Sequence, residues 1–561
     1  MKFKFILSLA LCAGTAFYGN ADGYLDGVEY YQVGQDENAE IVLTDNLDKP
    51  ETDKAVAYYY LGNIALHKGD LAQAEKYFDL GIQTNPEYAF NYIGKGAIVL
   101  KKGVGVKDAE KQAKEFFKQA EKIDKKDAKV KVDIARVYYD IDSVLYKKEL
   151  NDYLKDARKK NEKEASIYIF EGDMYADQKD YGKSAGRYDM AILFDNNRPV
   201  AYVKYANTYF HIAPDMAISR LKEIADRQPN SLLAQRELAE KYYENNQWTM
   251  AAEQYQKVID NPNHFPSDEV RYVVLLYFGE RYQESMDLAR QLAAENHSPF
   301  LMKRMLFLNA AALENYPEAE TLAKDFFTMQ ETDINTFTAN DYTTYGNVLL
   351  ELEKADDAAV AYENALKVSP EKKEILKDLS NAYSIAASVD KNPALYQKSA
   401  EAFQKFIDSG EYEKDYELND LYILTGRYQN VIATAQDSIA KTDAYKKGVE
   451  TIDLVLSKAT KDYRLSLRKA RIIRLYYGVE VFSKDAVDAY LLTEEIVNSD
   501  TDIAPEQKQS VLNEIYTYVG SYYLVQMQDT PTAKVYFEKA YEITPEGPQK
   551  EQLRNYIDNL K

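Results

Sequence analysis

The chain has 561 residues, 46% of them hydrophobic and 29% charged, with a formal net charge of −21. That length is more than one compact core accommodates, so several domains or one long array are expected, and the composition argues against disorder. The acidity disfavours nucleic acid and anionic membrane surfaces as partners of the whole chain.

In chain order, the first element is a leader. Lys2 and Lys4 precede a mostly apolar run from Ile6 to Tyr18, too short to span a bilayer, which needs roughly 20 residues. Gly19 and Ala21 place small residues before a cleavage point at Asp22. Residues 1–21 therefore read as a secretory signal peptide, and the protein as exported, most simply to a periplasm. Cys12 is the only cysteine. It is too close to the start, and Leu11 before it too large, for a lipid-anchoring site. The mature chain then has no disulfide, thiol nucleophile or thiolate metal site, and no membrane-spanning helix is expected in it.

Residues 22–52 read as a degenerate helix pair. Ala55–Tyr88, AVAYYYLGNIALHKGDLAQAEKYFDLGIQTNPEY, read as a clear one. With Ala55 as position 1, Tyr58 stands at 4, Leu61-Gly62 at 7 and 8, Ala74 at 20, Phe78 at 24 and Pro86 at 32. Apolar residues recur at helical spacing on both sides of Lys68-Gly69-Asp70, which breaks the pattern as a tight turn does. Small residues at 8 and 20 allow close helix approach, large ones fill the space between pairs, and Pro86 ends the second helix.

The pattern returns. Tyr342, Gly346, Leu349, Ala358, Tyr362 and Pro370 match without a gap. Tyr168, Gly172 and Tyr188 match, with Ser184 at position 20. Further copies carry Tyr202/Ala206/Ala217, Leu238/Ala239/Ala251/Tyr255 and Gly520/Ala533/Phe537, and weaker ones include Ile134-Ala135/Tyr138. Four stretches, Gly103–Lys107, Asp260–Asp268, Met329–Asp341 and Ser388–Ala394, read as loops between pairs. Residues 546–561 read as a closing helix that shields the last pair.

Chemistry leaves few traces. No two of the four histidines stand four apart, and there is no phosphate loop or nucleophile elbow. Ser438/Lys441 and Ser466/Lys469 fit S-x-x-K without its companion motifs. The polar loop Asp260–Glu269 lacks calcium-loop spacing. No catalytic residue, metal ligand or cofactor is expected. The clearest electrostatic anomaly is Lys458–Arg474, seven basic residues against the single acid Asp462. Arg464, Arg468 and Arg471 share one helix face, where like charges repel. Acidic neighbours or an acidic partner must offset that.

The repeated Leu-Gly, Ala, Phe and Pro spacing resembles the tetratricopeptide repeat (TPR) family over most of 22–561, with 53–545 holding about 12 helix pairs. The resemblance implies an all-α, right-handed superhelical solenoid whose first helices line a concave groove, with ligands touching positions 2, 5, 9, 12 and 13. Those positions include Tyr59, Asn63 and His67 in the first clear repeat, and Asn207, Phe210 and His211 in a later one. Arg236, Tyr243 and Asn347 follow in others. With Arg464, Arg468 and Arg471, these are the expected partner-binding residues. Lys377 and Asn381 match the first part of the family's carboxylate clamp, but Glu417 stands where the next Asn is wanted. The resemblance implies a non-enzymatic scaffold for a protein or peptide partner, as an adaptor in envelope assembly or secretion, in association with an outer-membrane complex. A chaperone for unfolded exported clients is the alternative; a polysaccharide-acting enzyme using Arg464 and Arg468 is a remote one.

Overall fold

The computed structural model describes residues 23–261, 264–409, 418–459, 461–478 and 481–560. The leader and Cys12 lie outside them. The described residues form 29 helices and no strand, in two compact units divided between His297 and Ser298.

The first unit opens with α1 (Gly23–Gln32), α2 (Asp36–Asn46), α3 (Lys54–His67), α4 (Leu71–Thr84), α5 (Phe90–Lys102) and α6 (Lys107–Ile123). It continues with α7 (Ala128–Asp142), α8 (Lys147–Lys160), α9 (Ala165–Asp177), α10 (Tyr181–Phe194) and α11 (Pro199–Tyr209). It closes with α12 (Pro214–Arg227), α13 (Leu232–Glu244), α14 (Trp248–Ile259), α15 (Pro266–Phe278) and α16 (Tyr282–Ala294). The second unit has α17 (Pro299–Ala312), α18 (Tyr316–Phe326), α19 (Ala339–Glu351), α20 (Ala355–Val368), α21 (Ile375–Asp390) and α22 (Pro393–Ile407). After these come α23 (Leu418–Thr434), α24 (Ser438–Lys458), α25 (Tyr463–Tyr477), α26 (Lys484–Ser499), α27 (Pro505–Val525), α28 (Thr530–Ile543) and α29 (Pro548–Asp558).

Within each unit, each odd-numbered helix up to α27 packs on the even one that follows, and that one packs on the next helix of the same unit. The described residues therefore hold 14 hairpins and a final helix, about one more than the spacing implied. Hairpins without the small-residue signature account for the difference. In the α25/α26 hairpin, read from sequence only as a basic run, Leu467, Ala470 and Ile473 share a core with Ala486 and Tyr490.

The hairpin geometry follows from a few residues. A side chain at Gly62 would place its Cβ 2.4 Å from the Phe78 ring, and one at Gly172 would meet Tyr188 at 2.3 Å. The aromatic ring of the second helix thus lies against the backbone of the first. Burying Phe78 completely contributes roughly 2–3 kcal/mol. Ser184 fits at position 20 because its hydroxyl donates to the Gly172 carbonyl at 2.9 Å. Ser285 does the same to Val273 at 2.8 Å. The turn needs one residue in the left-handed region, supplied by Gly69 at φ 81°. Lys179, Asn246, Glu280, Glu314 and Glu353 take that conformation elsewhere, with φ between 57° and 61°. The next N–H then bonds back to the first helix, as from Asp70 to Ala65 and from Asp180 to Tyr175, both at 2.9 Å. The Asp70 carboxylate caps α4 through Gln73 N–H at 2.9 Å.

Two of the four joints differ from expectation. Residues 103–106 lie inside the α5/α6 hairpin, and 391–392 inside α21/α22. The second was misplaced because α21 is 16 residues long, against 14 in α3, so Ser388–Asp390 are helical. Among the described residues no helix is long and apolar enough to cross a membrane.

Candidate functional site

In the first unit, α1 has two packing surfaces. One meets α2 and α3, as its place in the repeat requires; the other meets α11 and α13. That second contact is held by a buried polar network. The Arg236 guanidinium donates twice to Asp268, at 3.0 and 2.7 Å, and also bonds the Tyr30 hydroxyl. Asp268 further accepts from Tyr255 at 2.8 Å and caps α15 through Phe265 N–H at 2.7 Å. Ser231 donates to Glu29 at 3.0 Å, and Gln35 to Glu237 at 2.9 Å. Burial pushes the Asp26 carboxyl up to about 6, opposed by Arg236. Burial likewise raises Glu29 to about 7, opposed by its Ser231 bond.

Beside this contact, α1, α3, α7, α9 and α11 enclose a chamber of about 690 Å³. Tyr31, Tyr60 and Tyr139 stand in its wall, with Asp133, Arg136 and Asp140 from α7. Tyr31 packs edge-on to Tyr60 at 5.1 Å and stacks on His67 at 5.5 Å. Arg136 is paired with Asp173 at 3.0 Å and lies over the Phe170 ring at 4.6 Å. Asp133 accepts from the Tyr59 hydroxyl at 3.0 Å, and Asp177 from the Tyr139 hydroxyl at 2.9 Å. His67, Asp140 and Asp177 are exposed and form the mouth.

Of the expected partner-binding residues, the structure brings Tyr59 and His67 to this chamber. Tyr59 is only 7% exposed, packed on Phe90 and Phe78, and its hydroxyl rather than its ring serves the wall. Asn63 lies beside the Tyr59 hydroxyl and favours its charged form. His67 pairs with Asp36 at 2.8 Å. Asn207 is exposed and bonds Glu237 at 3.3 Å; His211, also exposed, stands edge-on to Phe210. Two readings need correction. Phe210 and Arg236 are 6% and 9% exposed, one under the Lys241 ammonium and the other committed to Asp268 and α1. Neither presents a free face. Tyr243 packs on Phe278 under the Arg271 guanidinium.

In the second unit Asn347 is exposed and accepts from Tyr362 at 2.6 Å. Lys377 is paired with Asp420 at 2.9 Å. The basic run finds internal partners. Arg464 bonds Asp462, the α25 N-cap, at 2.8 and 2.6 Å. Arg468 lies 3.8 Å above the Tyr422 ring and donates to that residue's carbonyl and hydroxyl. Arg471 makes two bonds to Glu514, at 3.1 and 2.6 Å. Burial raises the Glu514 carboxyl, but those bonds outweigh it and hold the group below the usual range. A depression of about 720 Å³ beside this run is lined by exposed Lys461, Arg464 and Asp502, charges of both signs. Among the described residues, no three or more His, Cys, Asp or Glu side chains are placed to hold a metal.

The sequence reading passed over α7. The signal was present: Ile134-Ala135 at positions 7 and 8 puts Arg136, Tyr139 and Asp140 at 9, 12 and 13.

A family match agrees with the hairpin pattern at α3 and α4. A family model described as tetratricopeptide repeat matches residues 47–89, which contain α3 and α4. The C-terminal part of a TPR repeat-containing protein from Cytophaga hutchinsonii is 16% identical, with 51% of this chain and 98% of that one covered and a TM-score of 0.35. A tetratricopeptide repeat protein from Parabacteroides merdae is 13% identical, over 59% and 99%, with a TM-score of 0.28. MamA is 19% identical, over 32% and 93%, with a TM-score of 0.20. No curated protein sequence matches the chain.

Proposed function

Because this chain is a tetratricopeptide repeat protein, we propose that it is an exported, non-catalytic scaffold that holds a protein partner through the inner face of its first unit. The observation that carries this reading is the chamber between α1, α3, α7, α9 and α11, where tyrosine rings and charged groups face inward. Aromatic anchors beside hydrogen-bonding and charged groups are the usual chemistry of peptide capture. The leader-like residues 1–21 favour a periplasmic setting, and an adaptor role in envelope assembly or secretion, with an outer-membrane complex as the destination, follows from that setting.

The test is in-cell photocrosslinking from position 143 on the chamber wall, in the native host, read by mass spectrometry. One or a few stoichiometric envelope proteins, reduced by Tyr139→Ala and His67→Ala, are expected. A broad spread of exported clients would make the protein a holding chaperone instead. Crosslinks confined to cytoplasmic proteins, or turnover of envelope polysaccharide abolished by Arg468→Ala, would overturn the reading.

A further inference from the structure

We infer that the chamber of the first unit receives a cationic side chain, lysine or arginine, from an extended peptide. The inference rests on the scaffold reading for its peptide and on the chamber alone for its charge.

The chamber's own charges do not balance. Asp36, Asp133, Asp140 and Asp177 line it, and Asp173 stands behind Arg136; the cations are Arg136, Arg198 and Lys204. Two of those cations are spent on one carboxylate, since Asp173 takes Arg136 at 3.0 Å and Lys204 at 2.7 Å. Arg198 bonds a neutral group, the Gln32 side-chain carbonyl, at 3.3 Å. Asp36 pairs with His67 and is also attracted by Lys68, and Asp133 and Asp177 are served by tyrosine hydroxyls. Among the described residues no donor stands within hydrogen-bond distance of Asp140, whose cationic neighbours are Arg136 and His67. Loss of water contact raises the carboxyl of Asp133 against Arg136, the Tyr59 bond and Arg198, and crowding by the chamber walls raises that of Asp140 against Arg136 and His67, so the charges within reach do not fully offset the desolvation.

The arrangement suits a long stem with a charged head. Asp140 and Asp177 stand exposed at the mouth, and Asp133 lies deeper. Between them Tyr31, Tyr60 and Tyr139 offer aromatic walls, against which a methylene stem packs and over which a cation is attracted. The Ser166 hydroxyl, also on the wall, is buried without a hydrogen-bond partner and can accept from an ammonium or guanidinium. A chamber of about 690 Å³ is within the size range of ligand sites. A bound cation would meet Asp140 at the mouth, and one reaching deeper would meet Asp133 and Ser166.

The experiment is calorimetric titration of the full chain with the peptide Ac-Gly-Lys-Gly-Lys-Gly-NH2, beside its acetyl-lysine and glutamate counterparts and a neutral hexasaccharide. The lysine peptide is expected to bind and to weaken with added salt; the other three are expected not to bind. Asp140→Asn should weaken the lysine peptide at least fivefold, and Asp133→Asn/Asp140→Asn at least tenfold. Asn at 133 keeps an acceptor for Tyr59, and Asp140→Asn alone decides the matter if the double variant melts early. Asp502→Asn in the second unit changes net charge equally and should have no effect. Absent lysine-peptide binding, an equal loss in Asp502→Asn, or equal binding of acetyl-lysine or saccharide would overturn the inference. If the peptide fails while position 143 still crosslinks envelope proteins, the cation receptor falls and the scaffold stands. If the peptide binds while no envelope protein crosslinks, the reverse holds.

Discussion

The two units are built from the same hairpin but are tied differently. In the second, side-chain bonds such as Arg468–Tyr422 and Arg471–Glu514 span 46 and 43 residues, from one hairpin to the next. In the first, such local bonds are joined by Arg236–Tyr30 and Ser231–Glu29, which span 206 and 202 residues. A stack tied only to its neighbours behaves as a chain of nearest-neighbour terms. A stack whose first helix also grips its sixth and seventh hairpins gains or loses that contact as a whole. The same hairpin yields an enclosed chamber in one case and a surface of locally paired charges in the other.

The largest effect that would break this contrast is expected from Arg236→Met. It leaves Asp268 and Asp26 buried without their cation, a loss of about 3–5 kcal/mol. Hydrogen exchange should show protection falling across the first unit, α1 included, while peptides of the second unit keep theirs. Loss confined to α13 and α15 would mean that α1 contributes little to the unit.

Next in size is a packing test. Gly62→Ala drives a methyl into the Phe78 ring and should cost about 1–3 kcal/mol. Gly186→Ala, at an exposed helical site with nothing within 4 Å, should stabilise by about 0.5–1 kcal/mol. Denaturant midpoints read both, and opposite signs are expected from one nominal substitution.

A pH dependence should separate the units further. Asp26 and Glu29 titrate at about 6 and about 7 in the folded first unit, above their ordinary values. The folded state therefore holds more protons than the unfolded one between about pH 4 and 7. Their contribution is fully present below about pH 4 and is lost as pH rises through 6 to 7. Protection of α1 should fall over that interval, and Asp26→Asn/Glu29→Gln should flatten the profile. The smallest effect is expected in the second unit. Arg468→Lys gives up a planar stack and a pair of bonds on a partly exposed residue, for about 1 kcal/mol, with exchange altered only around α23 and α25.

How much of this was legible depended on range. The hairpin was legible because its determinants are local: Gly62 needs Phe78 sixteen residues on, and Gly69 marks the turn. The chamber was half legible. Once Ile134-Ala135 sets the register, the repeat positions give Arg136, Tyr139 and Asp140, and Gly27 with Ala39 gives Tyr31 in the same way. Spacing carries no sign that Arg236 answers Tyr30 rather than a ligand, because nothing near either residue records a contact 206 positions away. Asn63/His67 and Asn207/His211 show the converse. They look alike in sequence, yet one histidine stacks on Tyr31 and pairs with Asp36, while the other stands exposed beside Phe210. The internal partners of the basic run were not legible for a related reason: Tyr422 and Glu514 lie outside any window that would reveal them.

The docking of α1 has a consequence for biogenesis. A repeat array ordinarily consolidates from its first segment onward as the polypeptide emerges, each new hairpin settling on the last. Here the earliest helix waits for Ser231, Arg236 and Asp268, some two hundred residues behind it. Until they arrive, Tyr30, Asp26 and Glu29 remain in water, and the chamber has a missing wall. A chain arrested before α13 would therefore hold 12 of the first unit's 16 helices yet lack a closed binding site, and competence would come in one late step rather than hairpin by hairpin.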